Sequence, residues 1–447
     1  MTHVHSSRPS MSLHGVHRYA EFSDLVLERA QTFALGTEAY DETLLDGAAG
    51  RAAESLIDRR TRARDGIFFS GHALGEKVVR YIGSDECIAT PIYDPTCGAG
   101  DLLIQAAKFL PLGDSVDMTL KQWGARLFGT DLHQIFVETT KRRLTLLAMY
   151  RHKDELPGSE ILVHSDDYFP NIRVEDFLIS KNKFPERCNL LMNPPFLSAP
   201  APSWITWSSG RVQMAGAFLE HAIRKSRPES QVVAILPDVL RSGTRYARWR
   251  NMISQYCVIR AVDLYGKFDA VTDVDVFILH LTKRASPKNE ADKWPAAEQN
   301  VAETCVPLSQ LATVTVGAVV PHRHKKRGPW CHYLDVSNAP AFGETEVHVK
   351  RRFAGTVVLP PFLVVRRTSN PADKDRLITT VVTGENPVAV ENHLVVIKPL
   401  ESSLNVCRRL AAALKDPNVR RWLDMKIRCR HLTTTLLKDI PIAPERV

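Results

Sequence analysis

Asp94-Pro95-Thr96-Cys97-Gly98-Ala99-Gly100 follows a short apolar run, Pro91–Tyr93, and leads into the helix-like segment Asp101–Phe109. Glycines at such a junction remove the Cβ atoms that would stop the backbone from turning tightly and approaching a ligand. A strand that turns through glycines into a helix is the opening of a Rossmann-like α/β sheet. Working outward, strand candidates recur at Ala125–Phe128, Ile161–Val163, Leu190–Met192, Val232–Leu236, Ile259–Leu264 and Val274–Leu281. Amphipathic stretches such as Ile135–Tyr150 and Ala217–Lys225 separate them. The alternation predicts a mostly parallel sheet with helices on both faces and a ligand at the carboxyl ends of its strands. Ahead of it, Tyr19–Arg64 reads mostly as helix, with Phe22, Leu25, Val26 and Ala30 at helical spacing.

A bare Gly-x-Gly fits many nucleotide-binding folds, so the acid before it carries more information. The Asp94 carboxylate suits a ligand that bears an amine and repels a pyrophosphate, which favours S-adenosylmethionine over a dinucleotide. Asp131, in Phe128-Gly129-Thr130-Asp131, closes the next strand. It can accept hydrogen bonds from both ribose hydroxyls, or it can cap the helix that follows. Its distance along the chain from Asp94 exceeds that of a minimal βαβ unit, and the loop Pro111–Gly124 is expected to absorb the excess.

Leu190-Leu191-Met192-Asn193-Pro194-Pro195-Phe196 runs from an apolar strand into a rigid polar loop. A conjugated amine is a poor nucleophile because its lone pair is delocalised. Two acceptors that take both amine hydrogens would localise that lone pair, and the Asn193 side-chain oxygen and the Pro194 carbonyl can supply them. Pro194 and Pro195 fix φ, so the acceptors need little reorganisation. Phe196 offers a flat face to a base taken out of its helix. The alternative is a Pro-Pro turn that merely ends a strand.

Bulk properties narrow the class. No apolar stretch reaches ~18 residues, so no membrane span is expected. Residues 1–18, with His3, His5, His14 and His17, read as a flexible tail without a secretory h-region. The eight cysteines form no CxxC pair, so neither a zinc site nor a disulfide framework is expected, and a reducing, cytoplasmic setting follows. Residues 301–447 hold 22 Lys+Arg against 13 Asp+Glu, net +9, whereas the remainder nets −1. A basic third beside a neutral remainder fits a nucleic-acid-binding module joined to a catalytic one, or a merely solvated basic surface. Ala285–Asn300 is polar and contains proline, which divides the chain into 19–285, a linker 286–300, and 301–447. In the last part, β-rich runs at Thr313–Val320, Thr356–Leu359, Phe362–Val365 and His393–Ile397 precede a helical tail, Ser403–Ile427. A mixed α+β domain is expected there.

The order of these motifs resembles the gamma-class DNA adenine-N6 methyltransferases, which include type I modification subunits and single-chain enzymes. The resemblance covers roughly residues 60–285. It implies an S-adenosylmethionine-dependent enzyme that flips adenine out of duplex DNA and methylates N6, with Asn193, Pro194, Pro195 and Phe196 at the catalytic centre. It implies cofactor contacts at Pro95, Cys97, Gly98 and Gly100 as well as Asp94 and Asp131. Gly66-Ile67-Phe68-Phe69-Ser70-Gly71 is similar to the family's Phe-Thr-Pro segment, so Phe69 and Ser70 join the cofactor set, although Ser-Gly departs from Thr-Pro. The family's next acid aligns with Asp166, with Asp167 a rival, and its second aromatic wall with Phe268, which can equally be core. Leu308–Gly317 and Leu432–Pro441 are similar to the ends of a target-recognition domain. There, Arg323, Lys325, Lys326, Arg327, Arg351, Arg352, Arg366 and Arg367 are candidates for DNA contact, each also explicable as surface charge.

Other readings share these motifs. RNA adenine-N6 or protein glutamine-N5 methylation poses the same electronic problem. A catalytically inactive DNA-binding defence protein would keep the fold without the chemistry. No P-loop or nuclease arrangement is present in the sequence, so cleavage in a restriction-modification or phage-defence setting would come from a partner nuclease or complex.

Overall fold

The computed structural model describes residues 16–36, 42–152, 165–180, 182, 184–185, 187–268, 274–290, 292, 294, 305–324, 327–369, 373–427 and 430–446. Contacts along the chain form two compact units, Met1–Pro295 and Ala296–Val447.

The first unit is built on strands β1 (Ile92–Asp94), β2 (Leu127–Asp131), β3 (Ile172–Val174), β4 (Asn189–Met192), β7 (Gln231–Pro237), β8 (Cys257–Lys267) and β9 (Asp275–Lys283), with β5 (Ser198–Pro200) and β6 (Arg211–Gln213) as a separate hairpin. The sheet order is β3-β2-β1-β4-β7-β9-β8. The first five strands run parallel, and β9 is antiparallel to both β7 and β8. β1 and β4 are buried along their whole length, as strands covered on both faces must be. Side-chain alternation splits β4 between two cores. Leu191 packs with Leu102, Leu144 and Val26, whereas Leu190 and Met192 pack with Leu219 and Ile253. The mixed α/β architecture with a mostly parallel sheet is the one the alternation predicts.

Several boundaries differ from the sequence reading. The region expected as a loop, Pro111–Gly124, contains most of an 11-residue helix, Val116–Arg126, capped by the Ser115 side chain on Met118 N–H. Val116, Leu120 and Trp123 are buried at helical spacing, so the tertiary contact outweighs the turn signal of Pro111 and Gly113. Ala125 therefore belongs to this helix, not to the second strand. The third parallel strand is Ile172–Val174, while Ile161–Val163 lies outside the described residues. Tyr19–Arg64 contains three helices, Ala20–Ala34, Ala48–Leu56 and Arg59–Asp65.

These helices are locked to the sheet by Arg143, whose side chain is fully buried. Its guanidinium donates to the carbonyls of Leu44 (3.2 Å), Leu45 (2.9 Å) and Ala99 (2.5 Å), and pairs with Asp101 at 2.9 Å. At the other end of the unit, Trp294 packs on Trp249 and Phe277, and its Nε1 donates to Arg250 O at 3.1 Å. The described part of the expected linker is thus held against the first unit up to that residue.

The second unit is mixed α+β. A five-stranded sheet has the order β11 (Ala312–Val316), β18 (Leu394–Pro399), β15 (Phe362–Arg366), β16 (Thr379–Thr383), β13 (Glu344–Glu346). A three-stranded sheet has the order β14 (Lys350–Arg352), β12 (Trp330–Leu334), β17 (Val388–Val390), and β10 (Val306–Pro307) pairs with β19 (Pro441–Ile442). Leu363, Val365, Val395 and Ile397 pack against Leu410, Trp422 and Leu423 of the helices Leu404–Ala413 and Pro417–Lys426. The expected strand Thr356–Leu359 is no strand. It makes one isolated bridge, Val358 to Val388. Among the described residues no helix is long and apolar enough to cross a membrane, and no cluster of three metal-ligating side chains occurs.

Candidate active site

A cleft opens at the carboxyl ends of the parallel strands, where α/β sheets hold their ligands. The ends of β1, β2, β3 and β4 each contribute a wall. Pro95, Thr96 and Gly98 follow β1, Asp131 to His133 follow β2, Glu175 to Phe177 follow β3, and Asn193 and Pro195 follow β4. Phe68 and Phe69 enter from the segment before the helix Gly71–Arg80.

The glycine loop is shaped from behind. Asp94 is buried, and its Oδ1 accepts from the Thr96 N–H at 3.0 Å. Burial pushes its pKa up to about 8. Asp94 does not line the cleft. It holds the turn, whereas Asp131 lines the wall. Cys97 is also behind the wall. Its N–H donates to Thr130 O (2.9 Å), and its sulfur packs against Gly129. Gly100 has φ +88°, with Thr140 filling the space a Cβ would need. At Gly98, φ is +52° and a Cβ would lie 2.6 Å from the Phe69 ring, so only glycine lets that ring close over the loop.

Asp131 accepts from Gly98 N–H (3.2 Å) through Oδ2 and from His133 N–H (2.9 Å) through Oδ1. Desolvation raises its pKa against these donors. It does not occupy the helix-cap position, which belongs to His133. The Phe69 ring is held edge-on by Phe136 (5.2 Å) and Tyr19 (6.1 Å). Ser70 lies outside the cleft wall and makes no cap hydrogen bond.

Asp166 sits in the short helix Ser165–Tyr168 ahead of β3, and Asp167 flanks a separate shallow groove beside Asp117 and Tyr168. Glu175 and Asp176, directly past the end of β3, both line the cleft, and Phe177 follows them. Phe177 stacks with Phe218 at 6.0 Å, and both line the cleft. The missed signal was a second β-branched run, Ile172–Val174, leading directly into Glu-Asp-Phe.

At the end of β4, Asn193 Nδ2 donates to the Phe68 carbonyl at 2.9 Å. A carbonyl can only accept, so this contact fixes the amide orientation. It leaves Oδ1 buried without a hydrogen-bond partner among the described residues. Such an orphan acceptor costs about 1–3 kcal/mol unless a donor arrives. Pro194 is buried, and Pro195 packs where a Cβ on Gly66 would be 2.4 Å away. Phe196 meets Phe268 edge-on at 5.2 Å, and Phe68 meets it at 6.5 Å. Phe268 is buried, within this aromatic group.

In the second unit, Arg323, Arg327 and Arg352 are exposed. Arg351 lies over the Tyr333 ring at 5.2 Å, and Arg366 is directed at the Ala339 carbonyl at 3.4 Å. Arg367 is half-buried. Lys325 and Lys326 lie outside the described residues.

No curated protein matches the chain by sequence. Among solved structures, a type I modification subunit from Vibrio vulnificus YJ016 is 17% identical, with 65% of this chain and 55% of that one covered and a TM-score of 0.37. The EcoKI M protein is 16% identical over 62% of this chain and 59% of its own, with a TM-score of 0.37. The type IIL restriction-modification enzyme MmeI, solved with DNA, is 12% identical over 89% and 69%, with a TM-score of 0.49. The chain thus spans little more than half the length of the two modification subunits, and these values are too low to bear on function. The family model described as N-6 DNA Methylase matches residues 48–293. That stretch holds the whole cleft and more than half of the sequence, and the chain belongs to the N-6 DNA methylase family.

Proposed function

We propose that the chain is a gamma-class methyltransferase that transfers a methyl group to the exocyclic N6 of adenine in duplex DNA, with residues 301–447 as its target-recognition domain. The observation that carries this reading is the buried, unpartnered Asn193 Oδ1 at the cleft wall. A planar amine would bring the missing donor. Asn193 Oδ1 and the Pro194 carbonyl accept its two hydrogens, and the nitrogen lone pair is released from conjugation. The Phe68 carbonyl keeps the amide from rotating, so the acceptor is in place before the base arrives. Phe196 supplies the aromatic surface against which a flipped base stacks, with buried Phe268 edge-on behind it.

The cleft fits S-adenosylmethionine by the chemistry of its donor set. Asp131 is placed for ribose hydroxyls, Asp176 for an amine, Phe69, Phe177 and Phe218 for apolar and ring surface, and Gly98 for close backbone approach. When bound, this cofactor supplies an electrophilic methyl group. Asp94, Cys97 and Gly100 act from behind the loop, setting its shape. Exposed Arg323, Arg327 and Arg352 favour a polyanionic substrate. The setting that fits such an activity is restriction-modification.

The test is transfer of labelled methyl from S-adenosylmethionine to duplex DNA, with N6-methyladenine as product. Asn193→Ala is expected to lower kcat by about 10²–10³-fold, with cofactor affinity nearly unchanged. Label entering protein from a lysate but never duplex DNA would overturn the proposal.

A further inference from the structure

The recognition reading leaves open which surface of the second unit meets DNA, and one surface differs from the rest. β12 and β14 form an antiparallel ribbon with Trp330 opposite Arg352 and His332 opposite Lys350. Strand alternation puts Trp330, Lys350 and Arg352 on one face and turns Arg351 to the other, over Tyr333. β14 is the edge strand of its sheet. Lysine and arginine on an edge are commonly there to block strand pairing. A tryptophan that is 67% exposed has the opposite effect, and Val349 beside Lys350 is 51% exposed as well. Edge protection therefore does not account for this face.

The described turn residues 321–324 and 327–328 are fastened to the same ribbon. His324 Nδ1 accepts from Val320 N–H (3.1 Å), and its carbonyl accepts from Arg351 (2.8 Å). Arg352 Nε donates to the Gly328 carbonyl at 3.0 Å. Gly328, at φ +103°, sits so close to Ala354 that a Cβ would lie 2.8 Å from its backbone nitrogen. Exposed Arg323 and Arg327 are thus carried on the same unit as Trp330. Among the described residues none of Arg323, Arg327, Lys350 and Arg352 pairs with a carboxylate, so their charge is available to a polyanion.

We infer that the β12–β14 ribbon with its attached turn is the face that meets duplex DNA. The four cations lie along phosphates, and Trp330 packs against a base or sugar between them. Ribbons of this kind enter a DNA groove, and the inference rests on the DNA-methylation reading above. Arg366, directed into its own domain, falls outside this face.

Full-length protein, wild type and variants, is titrated with fluorescently labelled duplex DNA across salt concentrations, and methyl transfer is measured in parallel. Trp330→Ala is expected to weaken binding about tenfold with the salt slope unchanged, and Trp330→Phe to restore most of it. Lys350→Ala combined with Arg352→Ala is expected to reduce the salt slope by about two. Thermal unfolding and cofactor binding are expected to stay at wild-type values. If the wild type binds and methylates duplex DNA but both variants keep its affinity and slope, the inference fails and the methylation reading stands. If the wild type neither binds nor methylates duplex DNA, both fail. If Trp330→Ala instead changes only the sedimenting mass of the free protein, the face is a protein interface and the inference is overturned.

Discussion

Asp94 shows how a single side chain can serve a site it does not touch. Its carboxyl is buried under the glycine turn, where loss of solvation pushes its pKa up to about 8, against ~3.9 for an ordinary aspartate. Between those values the unfolded chain holds fewer protons than the folded one, so stability falls as pH rises from about 4 to about 8. The span corresponds to a few kcal/mol, on the order of 1.4 per unit. The unfolding midpoint of the wild type should therefore drop between pH 5 and pH 8, and Asp94→Asn should flatten that slope. A variant with the wild-type slope would show that Asp94 is ionised throughout. That Asn193 and Pro195 follow a strand end was legible in the sequence, because an apolar run leads straight into Asn-Pro-Pro. The position of Asp94 behind the wall was not, since burial of a carboxylate depends on what packs over it. Asp176 was hidden for a different reason: two β-branched runs precede two acidic stretches, and spacing alone does not say which run pairs with β2.

The helix Val116–Arg126 illustrates the same limit at the level of elements. Its buried positions follow helical spacing, but Gly124 lies near its end, and glycine costs a helix ~1 kcal/mol. The structure supplies the reason for that glycine. A Cβ there would lie 1.7 Å from the Tyr168 carbonyl oxygen, a backbone atom that cannot swing aside. Gly124→Ala is expected to destabilise the first unit by ~1–3 kcal/mol or more, read as a lower urea midpoint at unchanged m. A midpoint within error of wild type would mean that the Ser165–Tyr168 helix yields easily. Among the parallel strands, β4 and β7 were legible, since they are short apolar runs bounded by polar turns, whereas β3 was not. Two edge strands of the second unit, β13 and β14, were not. β13 and β14 are three residues each and largely exposed, so they carry no hydrophobic period for a reader to find.

Each unit of the whole molecule has its own core. The second packs Leu363, Val395 and Ile397 on Leu410 and Leu423 without drawing on the first. A fragment of residues 296–447 should therefore unfold cooperatively by itself. It should also bind duplex DNA with an affinity that falls by orders of magnitude as salt rises. A folded fragment without affinity at low salt would remove the recognition assignment while leaving the catalytic one. The first unit invites a shorter version, trimmed to the 48–293 stretch that defines its family. Such a trimmed chain would retain Gly98, Asp131 and Asn193 yet lose the carbonyls of Leu44 and Leu45, two of the four partners of the buried Arg143 guanidinium. Each buried guanidinium donor left without its acceptor costs about 1–3 kcal/mol, although the Asp101 pair is kept, and the Tyr19 ring that steadies Phe69 would be lost too. The minimal expressible enzyme is thus longer than its recognisable motif, and where to place the first codon is dictated by one arginine.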